Sequence, residues 1–120
     1  MTKSISLAGA AAMALALLLP TGAEAKPARC VIKQGGELTY SGPCDFTGLN
    51  GDGSFSIDPI GKRRFYEGNL GLTIWMEGRG RANVSATNLG NSSNMGSYVR
   101  STKDKACWMS EEGPASICVY

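Results

Sequence analysis

The chain has 120 residues, with 12 Lys+Arg against 10 Asp+Glu, a formal charge of +2 and no histidine. This near balance does not single out a nucleic-acid partner. The missing histidine excludes imidazole-based catalytic triads. It also leaves zinc only an all-thiolate site, for which the chain has no C-x-x-C pair.

The first segment reads as an export signal. Lys3 precedes an apolar run over 5–19, broken only by Ser6 and Gly9, and Ala23-Glu24-Ala25 supplies a small-residue cleavage site. The run is shorter than the ~20 residues a bilayer span needs, so the expectation is a signal peptide over 1–25 rather than a membrane anchor. Arg29 just before Cys30 does not suit a lipidation site. Residues 26–120 are then one small domain in the periplasm or outside the cell, with no stable membrane anchor. Domains of this size have a marginal core, and four cysteines after the cleavage site fit an oxidising compartment. Four cysteines allow three pairings. Turn signals favour Cys30–Cys44 around Gly35-Gly36 and Cys107–Cys118 around Glu112-Gly113, with Cys107 opposite Cys118.

In chain order the pattern is short strands and turns. After a loose leader over 26–29, strands are expected over 30–33 and 37–41, around the Gly35-Gly36 turn. A short strand over 44–47 and an alternating one over 54–58 flank a glycine-rich turn, which directs Phe46, Phe55 and Ile57 inward. A weak strand is expected over 63–66. The clearest strand spans 70–77, with Leu70, Leu72, Ile74 and Met76 on one face and Thr73 and Trp75 on the other. Gly78-Arg79-Gly80 turns the chain into 81–87, where Ala82, Val84 and Ala86 point inward. A loop over 88–96, rich in Gly, Ser and Asn, leads to a strand through Tyr98 and Arg100. Cys107-Trp108-Met109 and 117–120 make the last hairpin. No helical period appears in any long window after residue 25. The fold class is therefore all-β, a small antiparallel β-sandwich or barrel stapled by two disulfides.

Candidate chemistry is sparse. Asn50-Gly51-Asp52-Gly53-Ser54 offers spaced oxygens, but Phe55 and Gly61 occupy the positions where a calcium loop needs glycine and a bidentate glutamate. The reading there is a β-turn, with no metal and no cofactor. Asp45, Asp58, Glu67 and Glu77 are the carboxylates a glycosidase could use, though nothing in the sequence brings two of them together. An even cysteine count leaves no free thiol nucleophile, so a non-enzymatic protein is expected. Lys62-Arg63-Arg64 reads as a solvated turn. Trp108 is expected against the neighbouring disulfide, and Trp75 is a candidate sugar contact.

The remaining signal is 88–100. As a plain connection it is a long solvated loop. As a functional element it presents serine and asparagine donors on a rigid sheet, where binding usually resides. Gly96-Ser97-Tyr98 within it is similar to the Gly-Ser-Tyr segment of periplasmic inhibitors of invertebrate-type lysozyme. The resemblance implies a loop that inserts into a lysozyme cleft. Ser97 and Tyr98 would engage the catalytic carboxylates, with Ser93, Asn94 and Arg100 nearby. The wider pattern of Gly-Pro-Cys-x-Phe, Gly-Ser-Phe-Ser-Ile and Ala-Cys-Trp resembles small exported proteobacterial proteins of unassigned function. The expectation is a periplasmic binding protein, either an inhibitor of a lysozyme-type hydrolase or an envelope module that binds glycan or a protein partner.

Overall fold

The computed structural model describes residues 24–120, so the expected signal peptide lies almost wholly outside the described residues. The chain forms eight antiparallel strands: β1 (Lys26–Gln34), β2 (Glu37–Gly48), β3 (Phe55–Pro59), β4 (Asn69–Gly78), β5 (Arg81–Asn88), β6 (Asn91–Arg100), β7 (Cys107–Ser110) and β8 (Ser116–Val119). Each strand pairs with the next, and β1 pairs with β8, so the sheet closes into an up-and-down barrel with no free end strand.

The barrel follows from the alternation. Inward positions carry Ile32, Ile57, Leu72, Ile74, Val84 and Ile117, all buried. Outward positions carry Lys33, Asp58, Asn83 and Ser85. This polarity, apolar inside and polar outside, is the reverse of a lipid-embedded barrel. Among the described residues, no helix is long and apolar enough to cross a membrane. Small residues on β5 (Ala82, Val84, Ala86) leave room for Trp108, Tyr98 and Phe65, the largest fully buried side chains. They fill the interior, as an eight-stranded barrel allows.

Both expected disulfides are present, Cys30–Cys44 and Cys107–Cys118. Cys30 and Cys44 lie two residues off register across β1–β2, a diagonal pair on one face, and face the core. Cys107 lies directly opposite Cys118 in the last hairpin, as the symmetric turn predicts.

Several expectations are corrected. The leader over 26–29 is not loose: it begins β1 and pairs with β2. Residues 63–66 are not a strand. They belong to an irregular connection between β3 and β4 that drives Phe65 into the barrel, edge-on to Tyr40 at 4.9 Å between ring centres. The Arg63 guanidinium covers the other side of the Tyr40 ring at 4.3 Å. Leu70 is only half-buried, because a bulge between Asn69 and Gly71 puts the fully buried Asn69 inside instead. Trp108 does not lie against its neighbouring disulfide. Strand alternation sends it into the core, opposite in direction to Cys107.

Asp45 and Asp58 face each other across β2–β3 on the convex outer side. The Asp58 side chain lies over Gly71, where a Cβ would collide with its carboxylate oxygen. Burial first, and the nearby Asp45 second, push the Asp58 carboxyl above the usual carboxylate range. The native state therefore holds this proton more tightly than the unfolded chain, and stability is lost as pH rises through the raised pKa. Asp58→Asn is expected to stabilise the fold at pH 7 by about 0.2–1 kcal/mol, the scale of a facing like-charge pair. The gain should vanish near pH 3, below the usual Asp pKa of ~3.9, where both states are protonated. Thermal melts at the two pH values check this, and a loss of stability at pH 7 would contradict the repulsive pairing.

Candidate functional site

The segment 88–100 does not protrude as a loop. Only Asn88-Leu89-Gly90-Asn91 is a turn, with Gly90 at φ 81° and Leu89 72% exposed at the tip. From Asn91 onward the chain is β6, paired with β5 along its length. Polar composition does not prevent this, because the ladder is made by backbone groups and the partner strand is a strong one.

The five predicted site residues consequently separate. Tyr98 points into the barrel and is 1% exposed. Burial chiefly raises its phenol pKa, with the nearby Tyr66 and Glu112 adding, while a hydrogen bond with Ser110 opposes them. Gly96 and Ser97 also have structural duties. Gly96 adopts φ 94°, and a Cβ there would collide with the Glu112 carboxylate. That carboxylate accepts the Ser97 N–H at 3.1 Å and closes the strand edge beyond the three pairs of the β6–β7 ladder. Ser93 Oγ accepts from Asn88 Nδ2 at 3.0 Å near the hairpin tip. Arg100 sits at the opposite end of the barrel, its guanidinium 4.5 Å above the Trp108 ring. Seven residues of extended chain put Ser93 and Arg100 about 23 Å apart, at ~3.3 Å per residue.

Two of the five do come together, around a residue the sequence singled out separately. Asn94 and Ser97 lie on the outer face of β6. Register places Thr73, Ser85 and Asn94 in one row across β4, β5 and β6, and Trp75, Asn83 and Ser97 in the next. A bulge at Met95 keeps both β6 residues on the outside despite their odd spacing. The six side chains form a two-by-three grid of about 7 × 10 Å, set by the residue repeat and the strand spacing. None of them is charged. Trp75 is 41% exposed, and its indole N–H donates to Ser85 Oγ at 3.2 Å, which fixes the ring on the sheet. The nearest ion pair, Arg81–Glu111 at 2.5 Å, borders the grid and neutralises itself.

No family model, curated protein or solved structure matches this chain. The chemistry therefore rests on the geometry. An aromatic face beside amides and hydroxyls offers an apolar plate and neutral donors and acceptors at one level. Such a surface suits a ligand that is itself amphipathic face to face, with C–H groups on one side and hydroxyls at the edge.

The glycine-rich turn at 49–54 behaves as a turn. Asp52 Oδ1 accepts the Ser54 N–H at 2.8 Å, and this bond holds the Asp52 carboxyl below its ordinary pKa. Among the described residues, no cluster of three or more His, Cys, Asp or Glu side chains is placed to hold a metal.

Proposed function

We propose that this chain is an exported binding module of the bacterial cell envelope that holds glycan on the outer face of β4–β6. The observation that carries the reading is the half-exposed Trp75, set among uncharged Asn83, Ser85, Asn94 and Ser97. A sugar ring stacks its C–H face on an indole and directs its hydroxyls to flanking amides and hydroxyls. The absence of charge in the grid favours a neutral polysaccharide backbone over an anionic ligand. Two disulfides in so small a domain fit an oxidising compartment such as the periplasm.

Inhibition of a lysozyme-type hydrolase, the function implied by the Gly-Ser-Tyr resemblance, needs a free Tyr98. The buried ring withdraws that contact. The inhibitor reading then rests on the β5–β6 tip alone, with its exposed Leu89 and Ser93.

The test is co-sedimentation with purified peptidoglycan, together with fluorescence titration by soluble N-acetylglucosamine oligomers. Trp75→Ala is expected to weaken binding at least tenfold, or about 1.4 kcal/mol, with an unchanged melting temperature. Asn83→Ala with Ser97→Ala should weaken it further. Retained binding in Trp75→Ala, or no binding by the parent protein, refutes the glycan reading. Inhibition of lysozyme that survives Trp75→Ala but not Leu89→Ala would favour the inhibitor reading instead.

A further inference from the structure

The barrel has a second surface with different chemistry. At the end that carries the 49–54 turn, the Gly78–Gly80 turn and the 101–106 connection, an open depression of about 1080 Å³ has Met76 and Trp108 in its wall and Arg79, Arg100 and Lys105 around it. A smaller lobe of about 220 Å³ shares Arg100, Lys105 and Trp108 with it and adds Phe46 and Phe55. Those two phenyl rings stack at 4.9 Å. The depression thus joins an apolar wall, with Met76 and Phe46 part-exposed over buried aromatic rings, to a cationic rim.

The lining carries three cations, Arg79, Arg100 and Lys105, against one acid, Asp52, a formal excess of +2. Among the described residues, none of the three cations lies within ion-pair distance of a carboxylate. The one acid in the lining, Asp52, is turned onto the Ser54 N–H. Asp104, in the adjoining connection, is engaged by the Tyr120 hydroxyl at 2.7 Å and the Ala106 N–H at 3.0 Å. A concave surface with an excess of one sign of charge concentrates ions of the other sign. Arg100 is also held in place: its guanidinium stacks on Trp108, and Nη1 donates to the Lys105 carbonyl at 3.3 Å. A donor fixed before the ligand arrives loses little freedom on binding.

We infer that this mouth is a binding site for a soluble amphiphilic anion, a carboxylate, sulfate or phosphate carried on an aromatic or apolar body. The anionic head meets Arg79, Arg100 and Lys105, and the body lies on the part-exposed Met76 and Phe46, above the buried Trp108 and Phe55. The site is separate from the uncharged grid on the outer face and takes ligands of opposite electrostatic demand.

The test uses 8-anilinonaphthalene-1-sulfonate as the anionic probe and N-phenyl-1-naphthylamine as its uncharged counterpart. It is done on the full chain carrying Trp75→Phe, so that Trp108 is the only tryptophan donor of energy transfer. Saturable binding of one sulfonate probe per chain is expected, at least tenfold tighter than the neutral amine and weakened by 0.5 M salt. Arg79→Gln with Lys105→Gln should weaken it at least tenfold while the melting temperature and the far-ultraviolet spectrum stay the same. Equal affinity for the two probes overturns the inference, as does full sulfonate binding in the folded double variant. Co-sedimentation with phosphatidylglycerol vesicles, without saturable binding of the free probe, also overturns it and assigns the cations to a membrane surface. Glycan binding, read on the chain with Trp75 intact, is expected to be unaffected by Arg79→Gln with Lys105→Gln, which keeps the two sites experimentally distinct.

Discussion

Tyr98→Ala is expected to lower the stability of the folded chain by about 3–5 kcal/mol, the range for truncating a buried aromatic side chain. The melting temperature of a domain this size falls by about 4–8 °C for each kcal/mol, so the loss should exceed ten degrees. The reason is placement. Tyr98 belongs to the core shared with Phe65, Trp108 and Val84 and is 1% exposed. Tyr98→Phe keeps the ring and gives up the hydroxyl partner Ser110, which is worth about 0.5–1.5 kcal/mol. The ordering Phe mild, Ala severe is what a core position produces. A tyrosine on a loop that reaches into a partner would show the opposite: unchanged melting in both variants, with binding lost in each. Thermal melts of the three proteins distinguish the cases, and a shift below about 2 °C for Tyr98→Ala would place the ring outside the barrel.

That contrast marks where the sequence was legible. β4 and β5 announce themselves, because Leu72 and Ile74, and Ala82, Val84 and Ala86, recur at every second position and face a closed interior. The disulfides were legible from turn symmetry, since Glu112-Gly113 lies midway between Cys107 and Cys118. β6 was not. Its first half lies near the barrel end, where the inward-facing Ser93, opposite Ala86, needs no apolar side chain. The bulge at Met95 then shifts the parity, and Gly96 fills an inward position with no side chain at all. An alternating pattern with its inward residues missing reads as a loop. Phe65 and Trp108 are hard to place from sequence for a related reason. A plug residue in an irregular connection carries no period, and a lone tryptophan beside a cysteine does not reveal which face it takes. The grid around Trp75 depends on register across three strands, which no local pattern encodes. The sequence singles out Ser97 and Asn94 by their hydrogen-bonding groups. The barrel puts them beside Trp75, while separating them from Tyr98 and Arg100.

The second large effect is expected from the disulfides, and the two bridges should behave differently. Loop-closure entropy alone does not distinguish them. Separations of 14 and 11 residues give about 3 kcal/mol each. Burial does distinguish them. Cys30 and Cys44 are wholly buried members of the core, so Cys30→Ala with Cys44→Ala removes packed sulfur as well as the cross-link. That double variant should lose more than about 3 kcal/mol, a large share of the 5–15 kcal/mol typical of small domains. Cys107–Cys118 faces outward, 7–8% exposed, with the Tyr120 hydroxyl 3.7 Å from Cys107 Sγ and tied to Asp104. It staples a ribbon of four residues per strand that meets β6 through only three pairs. Opening that ribbon exposes this bridge without dissolving the β2–β5 wall, so reductant should reach it through local fluctuation. Cys30–Cys44 becomes accessible only when the barrel unfolds. Alkylation after graded dithiothreitol, read by mass spectrometry, should therefore show Cys107 and Cys118 modified first. The melting temperature should fall in two steps, the second larger than the first. Simultaneous reduction of both bridges would mean that the β7–β8 seam opens only with the whole barrel. Early loss of Cys30–Cys44 would mean that this sulfur pair is not sealed in the core.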